Sequence, residues 1–273
     1  MSGKITGSLD VLSALEITSA AAGLDAASKQ LLRHKEILAI IAQGTIEEYQ
    51  AYSLREIMDF IEADSIKSPE VSRSRTNTVI RGEPSEFKEL HEKASHFDMV
   101  FRARNPKLSK RVLVNLHIDY EAQMDYRPGY PIEKRGMYYL ARGLSSQLNL
   151  LTETTDYGQL EKCYSVWICR DRVPVDEQFS MSHCRMHNHK NIGRSHMRKE
   201  DYDLMQLVIV RLGSSEYPED KKDLFQFLTA LFYPHKQNFK EIIGQYIDFE
   251  THLKLKEEVT KMTGLGMSVL REG

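Results

Sequence analysis

Cysteine is scarce in this sequence. Cys163, Cys169 and Cys184 are its only three, an odd number with no framework spacing. That excludes a disulfide scaffold and points to a reducing, cytoplasmic setting. An excess of charge of one sign is missing too, because 37 Lys and Arg stand against 39 Asp and Glu for a net charge of -2. A diffuse basic coat for nucleic acid is thereby excluded, and any DNA contact must come from a local basic patch. No apolar run reaches the length that crosses a bilayer, so no membrane partner is expected. The first residues lack a basic region followed by a continuous apolar core, and 1–24 reads as a mobile arm rather than a signal peptide. There is no Walker-type glycine loop, no dinucleotide fingerprint and no internal repeat, so ATP or NAD dependence has no support. The 41% of hydrophobic residues suits a globular chain with a sizeable core.

What is there is alternation. From Arg111 to Met124, Val112, Val114, Leu116, Ile118, Tyr120, Ala122 and Met124 form one apolar set. Leu113, Asn115, His117, Asp119, Glu121 and Gln123 form the other, polar after its first member. Period-two alternation is the pattern of a half-buried strand, with Glu121 and Gln123 on one face about 7 Å apart. Such a face either builds a site or meets solvent. His96 to Ala103 alternates as well, and Asn105-Pro106 marks a turn between the two runs. The pair predicts an antiparallel hairpin, in which Asp98 reaches the polar face near Glu121. An Asp and a Glu at one point suit a hard divalent cation held through oxygens. Gln123 is placed to hold a water.

The segments FDMVFRA (97–103), IDYEAQMDYRPGYPIEKRGMYYLARGLSSQ (118–147) and YSVWIC (164–169) follow in that order. Upstream stands LLRHKEILAIIAQGTIEEYQAYSLREIMDFIE, and downstream EDYDLMQLVIVRLG. Together they resemble the PD-(D/E)XK nuclease family transposases, relatives of the recombination-promoting nucleases and of restriction-enzyme-like folds. The resemblance covers roughly Leu24 to Gly213. It implies an α/β fold: a mixed sheet of about five strands flanked by helices, with a helical C-terminal region. The expected organisation is an arm over 1–24, a nuclease-like core over 25–213 and helices over 214–273. The implied activity is endonucleolytic hydrolysis of DNA phosphodiesters, linked to transposition or recombination. Asp98 and Glu121 would hold Mg²⁺ or Mn²⁺ with the backbone carbonyl of Ala122, and Gln123 stands where the family has Lys. Glu36, on the first helix, is implied as an accessory acid, a solvated helix position being its other reading; Asp119, on the same strand face as Glu121, is read as adding negative charge or orienting a water shell. DNA is the implied partner, and a homodimer is left open.

The remaining elements follow from period and punctuation. Asp25 to Gln43 has helical spacing, and Ser53 with Glu56 forms a capping box for a helix over Leu54 to Asp64. Residues 65–93 read as a polar loop whose SRSRTNT segment is a solvated linker or a phosphate contact. Pro131 opens a helix running to Leu148. Arg135, Tyr138, Arg142 and Ser145 form a polar stripe on it, opposite Ile132, Gly136, Met137, Leu140 and Leu144. The stripe is either a solvated face or, beside the cation site, a seat for the DNA backbone. Lys162–Cys169 reads as a central strand, with further strands over Phe179–Arg185 and Asp203–Leu212. Helical runs follow over Lys221–Phe232, Lys240–Phe249 and Leu253–Met262.

Two rival functions stand beside the nuclease. One is a catalytically silent module of the same fold that binds DNA or protein. The other is a zinc-dependent interaction protein built on Cys184, His187 and His189, with His183 and His196 nearby. Its spacing matches no standard zinc pattern and offers one thiolate, so an exposed loop is favoured. A cysteine nucleophile is disfavoured, because an apolar strand raises the thiol pKa of Cys163 and Cys169.

Overall fold

The computed structural model describes residues 30–66, 99–107, 111–119, 131–148, 156–170, 173–213, 224–233, 239–246 and 257–261. By internal packing the chain forms two compact units, one of 41–215 and one of 1–40 with 216–273. The expected divisions fell at 24/25 and 213/214.

The first of these units is mixed α/β. Five strands make one sheet: β1 (Met99–Arg104), β2 (Arg111–Asp119), β3 (Lys162–Cys169), β4 (Ser180–Arg185) and β5 (Met205–Arg211), in the order β1-β2-β3-β5-β4. The short Asn105-Pro106 connection allows β1 and β2 to pair antiparallel, Met99 opposite Leu116 and Arg104 opposite Arg111. Parallel pairing needs a long crossover instead. The chain between β2 and β3 supplies it and contains the longest described helix. Including that helix, the helices are α1 (Lys35–Thr45), α2 (Leu54–Phe60), α3 (Ile132–Leu148), α4 (Lys199–Tyr202), α5 (Leu224–Phe232) and α6 (Phe239–Gly244). β3 pairs in parallel with β2 and β5, and β4 closes the far side antiparallel to β5.

β3 is apolar at nearly every position because both of its faces are covered. One face meets α3. Ile132, Tyr139 and Leu140 join Trp167, Cys169, Leu207 and Ile209 in a buried cluster, with Tyr139 stacked on Trp167 at 5.8 Å between ring centroids. The expected apolar side of α3 therefore needs one correction. Met137 is 41% exposed, and Tyr139 takes the inward place. It follows Ile132 by seven residues and Gly136 by three, so the helical turn brings it onto their side.

Ser53 caps α2 as expected, with its hydroxyl accepting from the Glu56 amide and the Glu56 carboxylate accepting from the Ser53 amide. The helix stops at Phe60, short of the expected Asp64. Ile61 is extended and bridges Ala103, and the Glu62 amide donates to the Arg102 carbonyl. Ser65 Oγ accepts from the Arg102 amide at 2.8 Å. Pairing with β1 outcompetes another helical turn and occupies part of the outer edge of that strand.

In the other unit the described chain is helical. α5 packs on α6, with Phe227 against the edge of Tyr246 at 5.4 Å. His34 and Glu258 meet at 2.8 Å. Among the described residues, no helix is long and apolar enough to cross a membrane.

Gly136 sets how closely α3 sits on the sheet. A Cβ there would lie 2.5 Å from Leu207 Cδ1 and 3.2 Å from Trp167 Nε1, and Leu207 is fully buried. Gly136→Ala gains about 1 kcal/mol of helix propensity. Overpacking costs about 1–3 kcal/mol and outweighs that gain. Urea denaturation should show a net loss of stability; a gain would mean that Leu207 yields without cost.

Candidate functional site

The C-terminal ends of β2, β3 and β5 lie in one row, Asp119 beside Cys169 and Cys169 beside Arg211, with Ser180 of β4 next. In open α/β sheets this end is where ligands bind. Antiparallel pairing puts the first residue of β1, Met99, at the same end. Asp98 immediately precedes Met99, and Glu121 stands two positions after Asp119. Asp98, Glu121, Ala122 and Gln123 lie outside the described residues, as do the 1–24 arm and the SRSRTNT segment. Asp119 is the last residue of β2. Glu36 lies half-buried in the first turn of α1, within the unit that contains 1–40.

The stripe on α3 divides into two kinds of residue. Arg142 and Tyr138 are exposed, and Arg142 Nη1 donates to Tyr138 Oη at 3.3 Å. Arg135 is half-buried. Its guanidinium lies 5.4 Å from the centre of the Trp167 ring and 5.5 Å from that of Tyr139, and Nε donates to Tyr139 Oη at 3.2 Å. Arg135 thus closes the core beneath the stripe and presents less of its charge outward.

A cation that sequence reading did not single out sits in the same row. Arg211 is buried, with Nε 3.2 Å from Glu177 Oε2, Nη1 donating to Ser182 Oγ at 2.8 Å and Nη2 3.9 Å from Glu133 Oε1. Its position in an apolar run was the available signal, since a charge in a buried strand needs partners.

At the opposite end, a second buried ionic network joins residues far apart in the chain. Lys162 Nζ donates to Glu48 Oε1 at 2.9 Å and to Asp203 Oδ2 at 3.1 Å, and lies 5.2 Å from the centre of the Tyr164 ring. Tyr164 Oη donates to Glu48 Oε2. Burial first, then the Glu48 charge and this bond, push the Tyr164 hydroxyl well above its ordinary pKa. Beside it, Glu47 accepts from Arg185, Lys199 and Gln206. Burial raises its pKa, but the bonds from Lys199 and Gln206, the Lys199 charge and the Arg185 bond overcome this and hold it at about 2. Burial also pushes the Cys163 thiol up to about 12, against a weaker opposing bond from Gln147, which agrees with the sequence argument against a cysteine nucleophile.

His183, Cys184, His187, His189 and His196 are all exposed. The His187 and His189 rings are 6.0 Å apart. Among the described residues, no three His, Cys, Asp or Glu side chains are arranged to hold a metal. No protein-family model, curated protein or solved structure matches the chain.

Two outcomes follow from the Lys162 and Glu47 networks. Lys162→Met removes the cation that Glu48 and Asp203 share, leaving Asp203 only Lys199 at 3.7 Å, and should cost about 3–5 kcal/mol in urea denaturation. Adding Glu48→Gln and Asp203→Asn should restore part of the loss; no recovery would show that the charges do not set it. Glu47 has a folded pKa below its ordinary 4.5, so its contribution is full above pH 4.5 and fades as pH falls towards about 2. The stability gap between the wild type and Glu47→Gln should therefore shrink across that window. A gap independent of pH would show that the carboxylate charge is not what the site uses.

Proposed function

We propose that this chain is a metal-dependent DNA endonuclease on a restriction-enzyme-like sheet, of the kind linked to transposition or recombination. The observation that carries the reading is the β1–β2 register. Antiparallel pairing sets the start of β1, next in sequence to Asp98, and the end of β2, two positions before Glu121, at one end of the sheet. The crossover through α3 to a parallel β3 agrees with that fold class. The sequence resemblance supplies the rest of the support.

The donor set fits the ion: two carboxylates and the Ala122 carbonyl offer the oxygens that Mg²⁺ or Mn²⁺ takes. When bound, such an ion supplies polarisation of the phosphate and a water of lowered pKa. Asp98 and Glu121 would hold the ion, and Asp119 would add negative charge on the same strand. Gln123 accepts and donates hydrogen bonds and so orients the water, but brings none of the positive charge a Lys would. Arg142 and Tyr138 offer donors to the phosphate backbone, while Arg135 packs on Tyr139 of its own helix and on Trp167 of β3 behind them. The Gln in place of Lys favours one other reading, a silent module that binds DNA without cutting it.

Nicking of supercoiled plasmid with Mg²⁺ or Mn²⁺ separates the two. The wild type should cut and Glu121→Ala should not. Gln123→Ala should cut more slowly with metal affinity nearly kept, and Gln123→Lys should cut as fast or faster. Equal rates in all four folded proteins would overturn the enzyme reading. For DNA binding, Arg142→Ala should weaken all sequences alike and lower the salt slope by about 1, because each phosphate contact releases counterions. Arg135→Ala should in addition lower stability. An unchanged slope for Arg142→Ala would make the stripe a solvated face.

A further inference from the structure

A cavity of about 300 Å³ opens at the end of the sheet where β3 begins, the opposite end from Asp119 and Arg211. Its buried wall is Glu48, Lys162 and Asp203, its apolar sides are Leu160 and Leu204, and the exposed Lys199 stands at its rim. In all, four carboxylates and three lysines line it.

The charges are not equivalent. Lys162 is already held by Glu48 and Asp203, and Lys199 by Glu47 with Asp203 3.7 Å away. Two of the three cations are thereby neutralised. Asp203 has the opposite imbalance. Its side chain is 2% exposed and its Oδ2 accepts from Lys162, but its Oδ1 is buried with no hydrogen-bond partner. An orphaned carboxylate oxygen in such a place costs more than the roughly 1–3 kcal/mol of a neutral group. What is missing at this wall is a donor with positive charge. A divalent metal fits poorly, because Glu48 and Asp203 each spend an oxygen on Lys162 and no metal-holding group of three occurs among the described residues.

We propose that this cavity binds a small organic cation, an ammonium or guanidinium on a short apolar stem. The cationic head donates to Asp203 Oδ1, and the stem lies along Leu160 and Leu204. The volume suits a ligand of this size, at the small end of the range of about 300–1,000 Å³ for ligand pockets. This site is independent of the nuclease reading and shares no residue with it.

Titration calorimetry of the full chain with agmatine and with putrescine tests it, using pentanoate and inorganic phosphate as anionic counterparts. At least one of the two cations should saturate a single site, and neither anion should. Asp203→Asn should weaken that cation at least tenfold. Because Asp203 is buried, Leu204→Trp, which fills the cavity from its apolar side, provides the second variant and should give the same loss in a protein whose circular dichroism is unchanged. Failure of both cations to bind the wild type, binding of pentanoate or phosphate in their place, or unchanged affinity in the folded variants would overturn the proposal.

Discussion

Parallel pairing on both sides of β3 is the constraint on which the α/β unit depends. A strand paired in parallel with β2 and β5 must be reached by crossovers, and both of its faces are then covered. That accounts for the uninterrupted apolar run from Cys163 to Cys169, apart from Ser165. Ser165 is no exception in energy, since its hydroxyl accepts from the Trp167 indole at 2.9 Å. The crossover places α3 across β3 and β5, and the lack of a side chain at Gly136 lets the helix come close. The same pairing aligns three strand ends in one row, which gives the molecule one end with Asp119 and Arg211 and another with Lys162.

Those two ends handle buried charge differently. Arg211 is one cation shared among two carboxylates and a hydroxyl, with one carboxylate at 3.9 Å. Lys162 sits between two carboxylates at 2.9 and 3.1 Å, one of which also accepts from Tyr164. Desolvating such groups costs several kcal/mol each, so the arrangement is maintained only where every member finds its partner. Asp203 Oδ1 departs from this, buried with no hydrogen-bond partner while Oδ2 accepts from Lys162.

Much of the α/β unit was legible because its signals are local. The β-branched and aromatic run marked β3 to the residue, Pro131 marked the start of α3 within one, and Ser53 with Glu56 marked the cap of α2. The errors came where long-range contact overrode local pattern. Ile61 leaves the helix because Ala103 pairs with it, and Tyr139 displaces Met137 from the inward face because Trp167 offers a stacking partner. Arg135 looked like a surface charge until the ring beneath it was known. The Lys162 network had no sequence signal at all, because Glu48 lies 114 positions from Lys162 and Asp203 lies 41. For the candidate metal site, alternation and resemblance named Asp98 and Glu121, which lie outside the described residues; the register brings only their neighbours Met99 and Asp119 to one end of the sheet.

The central claim is that Asp98 and Glu121 act as one cation site. Its most direct measurement is a Mn²⁺ titration followed by electron paramagnetic resonance, on the wild type, Asp98→Asn and Glu121→Gln. The account predicts one bound ion in the wild type, displaced by Mg²⁺, and at least tenfold weaker binding in each variant alone. Equal Mn²⁺ binding by all three proteins, or no binding by any, would contradict it.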